Sequence, residues 1–397
     1  MNNNILLIIF LCVASACNTT LKHVDPSEEG MKIIKVRDME DTKSVYLSSI
    51  FRQARIVPLD YSEDNIIGEV EQLRIWSDKL YIMDKYNEGS ISIFDLDGNF
   101  IRKVGKAGRG PNEFTVISDF DVDKNNGDVY IYDNHTRNIF VYSHLGEFQR
   151  KILITEYKDF FRLHGNKFYL YRKNPSLGSP YELEIFDLEG KKESSYFKGN
   201  SELMASGVQV FGIGTNDKIL FNAQFNDTVY SIADGNLQKS FLIDFGNHAI
   251  SAAHKVQLEV EPGETASLCL KYNYAHGAKN FIENDSFLFF NYVYQNMRYS
   301  AMYNKTEDTC FSTNSIIDDL SYLYYGDPLT IYQDNLVCVY DDIALVKNNI
   351  DRLTQHLASG VDNAESANQT LSLLTQIYNE DFKSNPLIVL YSFGDDR

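Results

Sequence analysis

The chain has 397 residues, of which 44% are hydrophobic, 23% charged and 13% aromatic. This composition predicts a globular protein and excludes a disordered or low-complexity polymer. The 55 acidic and 37 basic residues give a formal net charge of −18, which argues against nucleic acid or an anionic lipid surface as a partner. The one long apolar run, residues 5–16, is too short for a membrane-spanning helix, which needs about 20 residues.

The first 17 residues, MNNNILLIIFLCVASAC, have the layout of an export signal. The apolar run ends in the small residues Ala14, Ser15 and Ala16, and Cys17 follows them directly. This arrangement resembles a bacterial lipoprotein signal, which implies that Cys17 is acylated and becomes the new N-terminus. Plain secretion and a buried N-terminal strand are the alternatives. Residues 18–30 are polar and show no apolar periodicity, so we expect them to form a tether.

Three cysteines remain in the body of the chain, namely Cys269, Cys310 and Cys338. At most one disulfide can form among three thiols. Their neighbours form strand-like apolar runs, in which a free cysteine packs as a small hydrophobic residue. We therefore expect buried thiols. None of the three has the CxxC or Cys/His spacing of a zinc site or a redox motif.

The body of the chain repeats a strand-rich unit. Residues 79–102 align with residues 128–150, and each segment contains two alternating apolar strands, a tight glycine turn and a third strand. A third copy repeats the sequence IFDLDG of residues 93–98 as IFDLEG at residues 185–190. Weaker copies bring the number of units to six. The equivalent strand positions, which are 39 to 68 residues apart, are Tyr81, Tyr130, Tyr169, Leu220, Leu288 and Leu336.

A unit of roughly 40 to 50 residues that forms a short antiparallel meander is typical of a propeller blade. The reason is that a four-stranded sheet buries its faces only by packing against the next blade. The repeats therefore predict an all-β fold, a six-bladed β-propeller in a single domain at residues 31–397. Most of the 26 Tyr and 25 Phe residues are expected to pack between blades.

Helical patterning is expected at two places. Residues 247–263 are interpreted as an insertion with one short helix, and residues 347–383 predict a two-helix insertion in the last blade. The final strand is predicted at Leu387–Phe393. It closes the ring with an N-terminal strand taken from residues 32–36 or residues 54–59.

The segment from Val104 to Phe114, VGKAGRGPNEF, follows the pattern G-x-x-G-x-G-P-x-E-[FY]. Together with the meanders, the helical insertion and the Asn-Pro-aliphatic closing strand at Asn385, it resembles the six-bladed propeller lipoproteins related to NHL-repeat and TolB-like propellers. The resemblance covers nearly all of the mature chain. It implies a six-bladed fold and a lipid-anchored location in the bacterial cell envelope, with the outer membrane favoured. It does not imply a biochemical role, because most members of that group have none assigned.

The same segment supplies the candidate ligand-binding residues, Arg109, Asn112 and Glu113. At the mouth of a central channel, a cation, an amide and a carboxylate can hydrogen-bond a sugar or a small anion. The alternative is that Arg109 and Glu113 pair with each other and stiffen a loop that links two blades. Phe114 is expected to anchor this loop in the core between the blades.

The sequence assigns no catalytic residue, no metal ligand and no cofactor. Residues 121–127, DVDKNNG, suggest a calcium loop, but the glycine comes one position late for an EF-hand, and Tyr132 stands at the position of the bidentate Glu. We therefore interpret this segment as a hairpin turn. The eight histidines are scattered, and no nucleophile elbow, P-loop, HExxH or dinucleotide-binding motif is present. A Ca²⁺ or Zn²⁺ ion in the channel is the alternative.

These observations favour a monomeric binding module that uses its channel mouth or rim to bind a glycan, a peptide or an envelope protein. Contact with the membrane is expected only through the N-terminal lipid. The first alternative is a propeller enzyme, a lyase or hydrolase with a metal in the channel. The second is an assembly scaffold whose partner docks on the helical insertion.

Overall fold

The structure is a computed structural model. It describes residues 30–37, 39–40, 43–84, 89–172, 181–198, 210–216, 218–222, 226–233, 236–260, 264–341, 346–359, 364–379 and 385–394. The predicted signal segment, Cys17 and all of the predicted tether except Gly30 lie outside these residues. None of the helices in the described ranges is both long enough and apolar enough to cross a bilayer.

The described chain is mostly β and forms several small sheets. Three strands precede the first of them: β1 (Lys32–Lys35), β2 (Val45–Tyr46) and β3 (Phe51–Pro58). Sheets 1 to 3 are antiparallel meanders, each made of four strands that pair in chain order. Sheet 1 contains β4 (Gln72–Trp76), β5 (Lys79–Asp84), β6 (Ser90–Asp95) and β7 (Phe100–Val104). Sheet 2 contains β8 (Asp119–Val122), β9 (Val129–Asp133), β10 (Asn138–Tyr142) and β11 (Phe148–Leu153). Sheet 3 contains β12 (Phe160–His164), β13 (Lys167–Tyr171), β14 (Tyr181–Asp187) and β15 (Lys192–Lys198).

Sheets 4 and 5 repeat this arrangement and are joined by one parallel bridge between Ile213 and Ile282. Sheet 4 contains β16 (Phe211–Ile213), β17 (Ile219–Phe221), β18 (Thr228–Ala233) and β19 (Asn236–Asp244), and sheet 5 contains β20 (Ala275–Glu283), β21 (Phe287–Tyr294), β22 (Met297–Asn304) and β23 (Thr309–Thr313). A short strand, β24 (Ile316–Ile317), pairs with β2. Sheet 6 contains β25 (Pro328–Tyr332), β26 (Asn335–Tyr340) and β27 (Leu387–Phe393), together with β3.

Both N-terminal segments that the sequence offered for closure are strands, but they join different sheets. β3 pairs antiparallel with β27, with Pro58 opposite Leu387, so sheet 6 contains strands from both ends of the described chain. β1 instead pairs in parallel with β19, with Lys32 opposite Phe241. The buried side chain of Asn385 adds a second link, between the residues just before β27 and the segment that connects β3 with β4. Its Oδ1 accepts a hydrogen bond from the Ile67 amide at 2.7 Å.

The six sheets pack side by side, and a buried apolar cluster lies between each neighbouring pair. One cluster contains residues of sheets 1 and 2. The pairs 2 and 3, 3 and 4, 4 and 5, and 5 and 6 have one cluster each. The sixth cluster contains Val337 and Ile388 of sheet 6 and Leu80 and Phe94 of sheet 1. The proposed equivalent positions, Tyr81 to Leu336, all lie on the second strand of the sheets given above.

Helices lie between consecutive strands at two places. α1 (Ala252–Val260) and α2 (Thr265–Tyr272) lie between β19 and β20, and α3 (Val346–Ala358) and α4 (Ala364–Asn379) lie between β26 and β27. α2 was not expected, and the prediction that Cys269 lies in a strand-like run was wrong. A short apolar run does not distinguish a strand from a helix, and here Cys269 packs with Leu258 and Leu268 in a small helical cluster.

The three cysteines of the body are free thiols. Cys269 and Cys338 are buried, whereas Cys310 is half-buried in β23. Burial raises the pKa of the Cys269 thiol to about 11, so this group stays protonated at neutral pH. These cysteines therefore behave as small packing residues.

Two glycine turns of the repeat allow a matched test of how the sheets pack. Gly98 and Gly146 both have a φ of +89°, so alanine at either position is strained by about 1–3 kcal/mol. A Cβ atom on Gly98 would also lie 2.0 Å from the carbonyl oxygen of Pro58 in β3, whereas the nearest atom at Gly146 is 3.4 Å away. We expect Gly98→Ala to lower the free energy of unfolding by about 2 kcal/mol more than Gly146→Ala, as measured by urea denaturation. Equal losses would show that β3 does not cover this turn.

Candidate functional site

A cavity of about 290 Å³ lies where the first strands of the sheets meet. β4 contacts β8 and β25, β8 contacts β12, and β20 contacts β16 and β25. All six sheets contribute to the lining because their first strands face one another. The lining residues with an acidic or basic side chain are Arg74, Asp121, Lys124, Arg162, His164 and Lys218.

Arg74 lies in the middle of β4, with its guanidinium group fixed by three neighbours. Nε donates a hydrogen bond to Oδ1 of Asp121 at 3.3 Å, Nη1 donates to the Leu73 carbonyl at 2.9 Å, and Nη2 donates to Gln72 at 2.6 Å. The group also lies over the Phe120 ring, 5.4 Å from its centroid. Burial lowers the pKa of Arg74 to about 10, so its charge is retained at neutral pH.

Arg162 lies in β12 and is held by the fully buried carboxylate of Asp119. Its Nη1 donates to both carboxylate oxygens, at 3.2 and 3.3 Å, and to the Phe161 carbonyl at 2.8 Å. Its guanidinium lies over the Phe211 ring of the next sheet, 5.5 Å from the centroid. The side chain is only 8% exposed, so its position is fixed by packing as well as by charge.

The cavity is cationic although the whole protein is acidic. Arg74, Lys124, Arg162 and Lys218 carry four positive charges, and Asp121 in the lining and Asp119 behind it carry two negative charges, which leaves a surplus of two positive charges. Much of the remaining wall is apolar, and it includes Ile75, Leu163, Phe211, Ile213, Phe281 and Ile331. Such a lining can bind an anionic group together with an apolar or ring-shaped body.

The residues predicted from the loop before β8 lie elsewhere. Arg109 and Asn112 are exposed, Glu113 is half-buried, and none of the three lines this cavity. The cavity residues of β4 and β12 come from the middle and the end of each strand, whereas the loop precedes the start of β8. Their assignment as ligand-binding residues stays a prediction.

Contacts within the loop show what stiffens it. Glu113 accepts a hydrogen bond from the Gly110 amide at 2.8 Å and lies 3.9 Å from Lys106. The sequence suggested that Arg109 pairs with Glu113. Among the described contacts, the cation near Glu113 is Lys106. Phe114 is fully buried and packs edge-on against Phe140, as expected of the residue that anchors the loop.

The segment DVDKNNG forms the turn between β8 and β9. The Gly127 amide donates to the Asp123 carbonyl at 2.8 Å, and Oδ1 of Asp123 accepts a hydrogen bond from the Asn125 amide at 2.9 Å. These bonds confirm the hairpin turn. In the part of the chain that the structure describes, no group of three His, Cys, Asp or Glu side chains is placed to hold a metal ion.

Sequence reasoning missed Arg74, Arg162 and Asp119. One signal was available for the two arginines, because each is a charged residue between two apolar neighbours, Leu73 and Ile75 or Phe161 and Leu163. What could not be read from the sequence is that three strands so far apart in the chain place these side chains around one space. The charges converge only because separate sheets pack against one another around this space.

Comparison with known proteins identifies a family and similar folds. No curated protein sequence matches the chain. A protein described as exported, from Bacteroides fragilis, has a similar solved structure with a TM-score of 0.71 at 16% identity, over 92% of this chain and 100% of that one. A DUF4221 family member from Bacteroides vulgatus has a TM-score of 0.51 at 10% identity, over 86% of this chain and 96% of that one. At such identities these likenesses concern the fold alone.

The family model that matches covers residues 31–392 and is described as a domain of unknown function, DUF4934. Neither the NHL-repeat nor the TolB name is attached to it, so that more specific relationship stays a prediction. Because the match extends over most of the sequence, the chain belongs to the DUF4934 family.

Proposed function

We propose that this protein is a six-bladed β-propeller, anchored to the bacterial cell envelope through Cys17, that binds a ligand in its central channel. The observation that carries the proposal is the cavity to which all six sheets contribute and in which two arginines are held rigidly by buried partners. Fixed charged groups in an otherwise apolar cavity are typical of a ligand site, because they orient a ligand without loss of side-chain freedom.

The sheet arrangement supports six blades. Six clusters of apolar residues join the sheets in sequence, and the sixth joins the last sheet to the first. Pairing of β3 with β27 closes the ring with strands from both ends of the chain. In this proposal α3 and α4 form a helical insertion in the last blade, and the resemblance to NHL-repeat and TolB-like propellers follows from the same arrangement.

The envelope location is supported by the N-terminal sequence and by the fold shared with a protein described as exported. Cys17 follows three small residues at the end of the apolar run, where a lipoprotein signal is cleaved. We expect Cys17→Ser to move the protein from the membrane fraction to the soluble fraction of the cell envelope and to abolish labelling by a fatty acid. Cys12→Ser is the matched control and should remain in the membrane fraction. Membrane retention of Cys17→Ser without detergent would contradict the anchor.

The binding role is tested with the full chain purified in detergent and screened on glycan and peptide arrays. We expect a defined glycan or peptide to bind to the native protein. Ile331→Trp, which fills the cavity, should lose that binding, whereas Leu153→Trp on an exposed position of β11 should keep it. Binding that survives Ile331→Trp would place the ligand outside the channel. Recovery of the ligand unchanged separates a binding module from the lyase or hydrolase alternative, which would release a cleaved product.

A further inference from the structure

The guanidinium group of Arg162 presents one unused edge to the cavity. Only Nη1 makes hydrogen bonds, to Asp119 and to the Phe161 carbonyl. Among the described residues, Nε and Nη2 have no hydrogen-bond partner, although the side chain is only 8% exposed. Neither nitrogen is among the fully buried unpaired atoms, and Arg162 lines the cavity, so a molecule bound there can accept hydrogen bonds from these N–H groups.

The unused edge has a specific geometry. Nε–H and one Nη2–H of a guanidinium point the same way in one plane, and two such parallel donors match the two oxygens of a carboxylate. Asp119 and the Phe211 ring hold the group in place, since the first bonds the opposite edge and the second lies against its face. The ligand therefore meets a donor pair whose orientation is already fixed.

The surrounding charges favour an anion at this point. Lys124 and Lys218 add two positive charges near the ends of the first strands of their sheets, and the only carboxylate among the lining residues, Asp121, is bonded to Arg74. The apolar, low-dielectric walls of the cavity strengthen the attraction between these cations and an anion inside it. A ligand with one carboxylate would offset part of the surplus of positive charge.

The size and walls of the cavity restrict the rest of the ligand. A volume of about 290 Å³ lies at the lower end of the range for small-molecule sites, which corresponds to a ligand of one or two rings. Ile213, Ile282 and Ile331 offer apolar contact, while Asn280 and Thr330 supply a few polar groups. This mixture suits an aromatic acid or a sugar acid.

From these observations we infer that the channel binds a small carboxylate-bearing ligand, with Arg162 donating two parallel hydrogen bonds from Nε and Nη2 to the carboxylate. The inference rests on the proposed binding function and names the ligand class of that same cavity. It assigns to Arg162 the role that the sequence had suggested for Arg109.

The test uses pairs of probes that differ only in the carboxylate. D-Galacturonate is compared with D-galactose, and benzoate with benzyl alcohol, by titration into the full chain in detergent. Trp76, the single tryptophan, provides a local signal because its indole Nε1 donates to the carbonyl of the cavity residue Lys124 at 3.0 Å. In at least one pair, we expect the acid to bind about tenfold or more tightly than its neutral partner. Added salt should weaken the binding of the acid only.

Variants locate the contact. Arg162→Gln should remove most of the preference for the acid, and Arg162→Lys should restore it only in part, because lysine keeps the charge but loses the paired donors. Arg55→Gln, which removes one exposed arginine from β3, is the control and should leave the preference unchanged. If Arg162→Gln does not fold, Lys218→Gln on the exposed rim provides the second test. We expect this variant to bind the acid a few fold more weakly than the native protein does.

Three results would overturn the inference. Equal binding of an acid and its neutral partner, lost in Ile331→Trp, would keep the binding module and exclude carboxylate recognition. A preference for the acid that is unchanged in Arg162→Gln would place the carboxylate elsewhere. Binding of neither acid in the millimolar range, with a ligand found on the arrays, would likewise exclude this ligand class while the proposed function stands.

Discussion

Replacing Asp119 by alanine is expected to lower the free energy of unfolding by about 3–5 kcal/mol. The carboxylate is fully buried, accepts two hydrogen bonds from Arg162, and accepts one from the Phe161 amide at 2.9 Å. Arg74 also lies within 4.0 Å. Without Asp119 the nearly buried charge of Arg162 has no counter-ion and the Phe161 amide loses its acceptor. Urea denaturation followed by circular dichroism measures the loss.

Two further variants separate charge from hydrogen bonding at this position. Asp119→Asn keeps an acceptor for the Phe161 amide but removes the charge. Its free energy of unfolding should therefore lie between those of the native protein and the alanine variant. Asp97→Asn is the control, because Asp97 is 74% exposed and its pair with Arg55 is worth about 0–1 kcal/mol. A loss below about 1 kcal/mol for Asp119→Ala would mean that Arg162 turns into the cavity and is solvated there.

A loss of similar size, about 3–5 kcal/mol, is expected for Glu184→Leu in sheet 3. Glu184 and Lys158 are both fully buried and form an ion pair. Glu184 also accepts hydrogen bonds from Lys192 at 3.1 Å and from the Ser195 hydroxyl at 3.2 Å. Burial lowers the pKa of Lys158, and the Glu184 charge opposes this shift, so removal of Glu184 leaves a buried cation without its main partner.

The double variant Lys158→Met, Glu184→Leu tests this explanation. Replacing both charges by apolar side chains removes the desolvation cost of the pair, so the double variant should recover part of the stability lost in Glu184→Leu. Glu193→Gln is the control, since its ion pair with Lys167 is partly exposed and a small effect is expected. A double variant that is less stable than Glu184→Leu would show that Lys158 stabilises the sheet by other contacts.

Sequence alone located most of the β framework. The strand at Leu387–Phe393 has the predicted bounds, and the helical pattern of residues 347–383 corresponds to α3 and α4. Tyr81 and Tyr130 lie on equivalent strands, as the repeat indicated. These features could be predicted because the alternation of strand side chains and the spacing of helical ones are local properties that a short stretch of sequence records.

Other features depended on the packing of distant segments. The pairing of β1 with β19 and of β3 with β27 could not be chosen from two similar apolar stretches near the N-terminus. The helix around Cys269 depends on contacts with Leu258 in a neighbouring helix, so four residues of local pattern misled the strand prediction. In both cases, tertiary contacts selected between structures that the local pattern allowed equally.

The sequence by itself therefore determined the strand-rich character of the repeated segments and the acidic charge of the whole chain. Only the tertiary structure decided that Arg74, Asp119 and Arg162 lie around one cavity, and that this cavity is positively charged although the whole chain is acidic. The physical reason is distance along the chain. Strand formation follows from neighbouring residues, whereas the field inside the cavity is the sum of charges that only the packing of separate sheets brings within a few ångströms of one another.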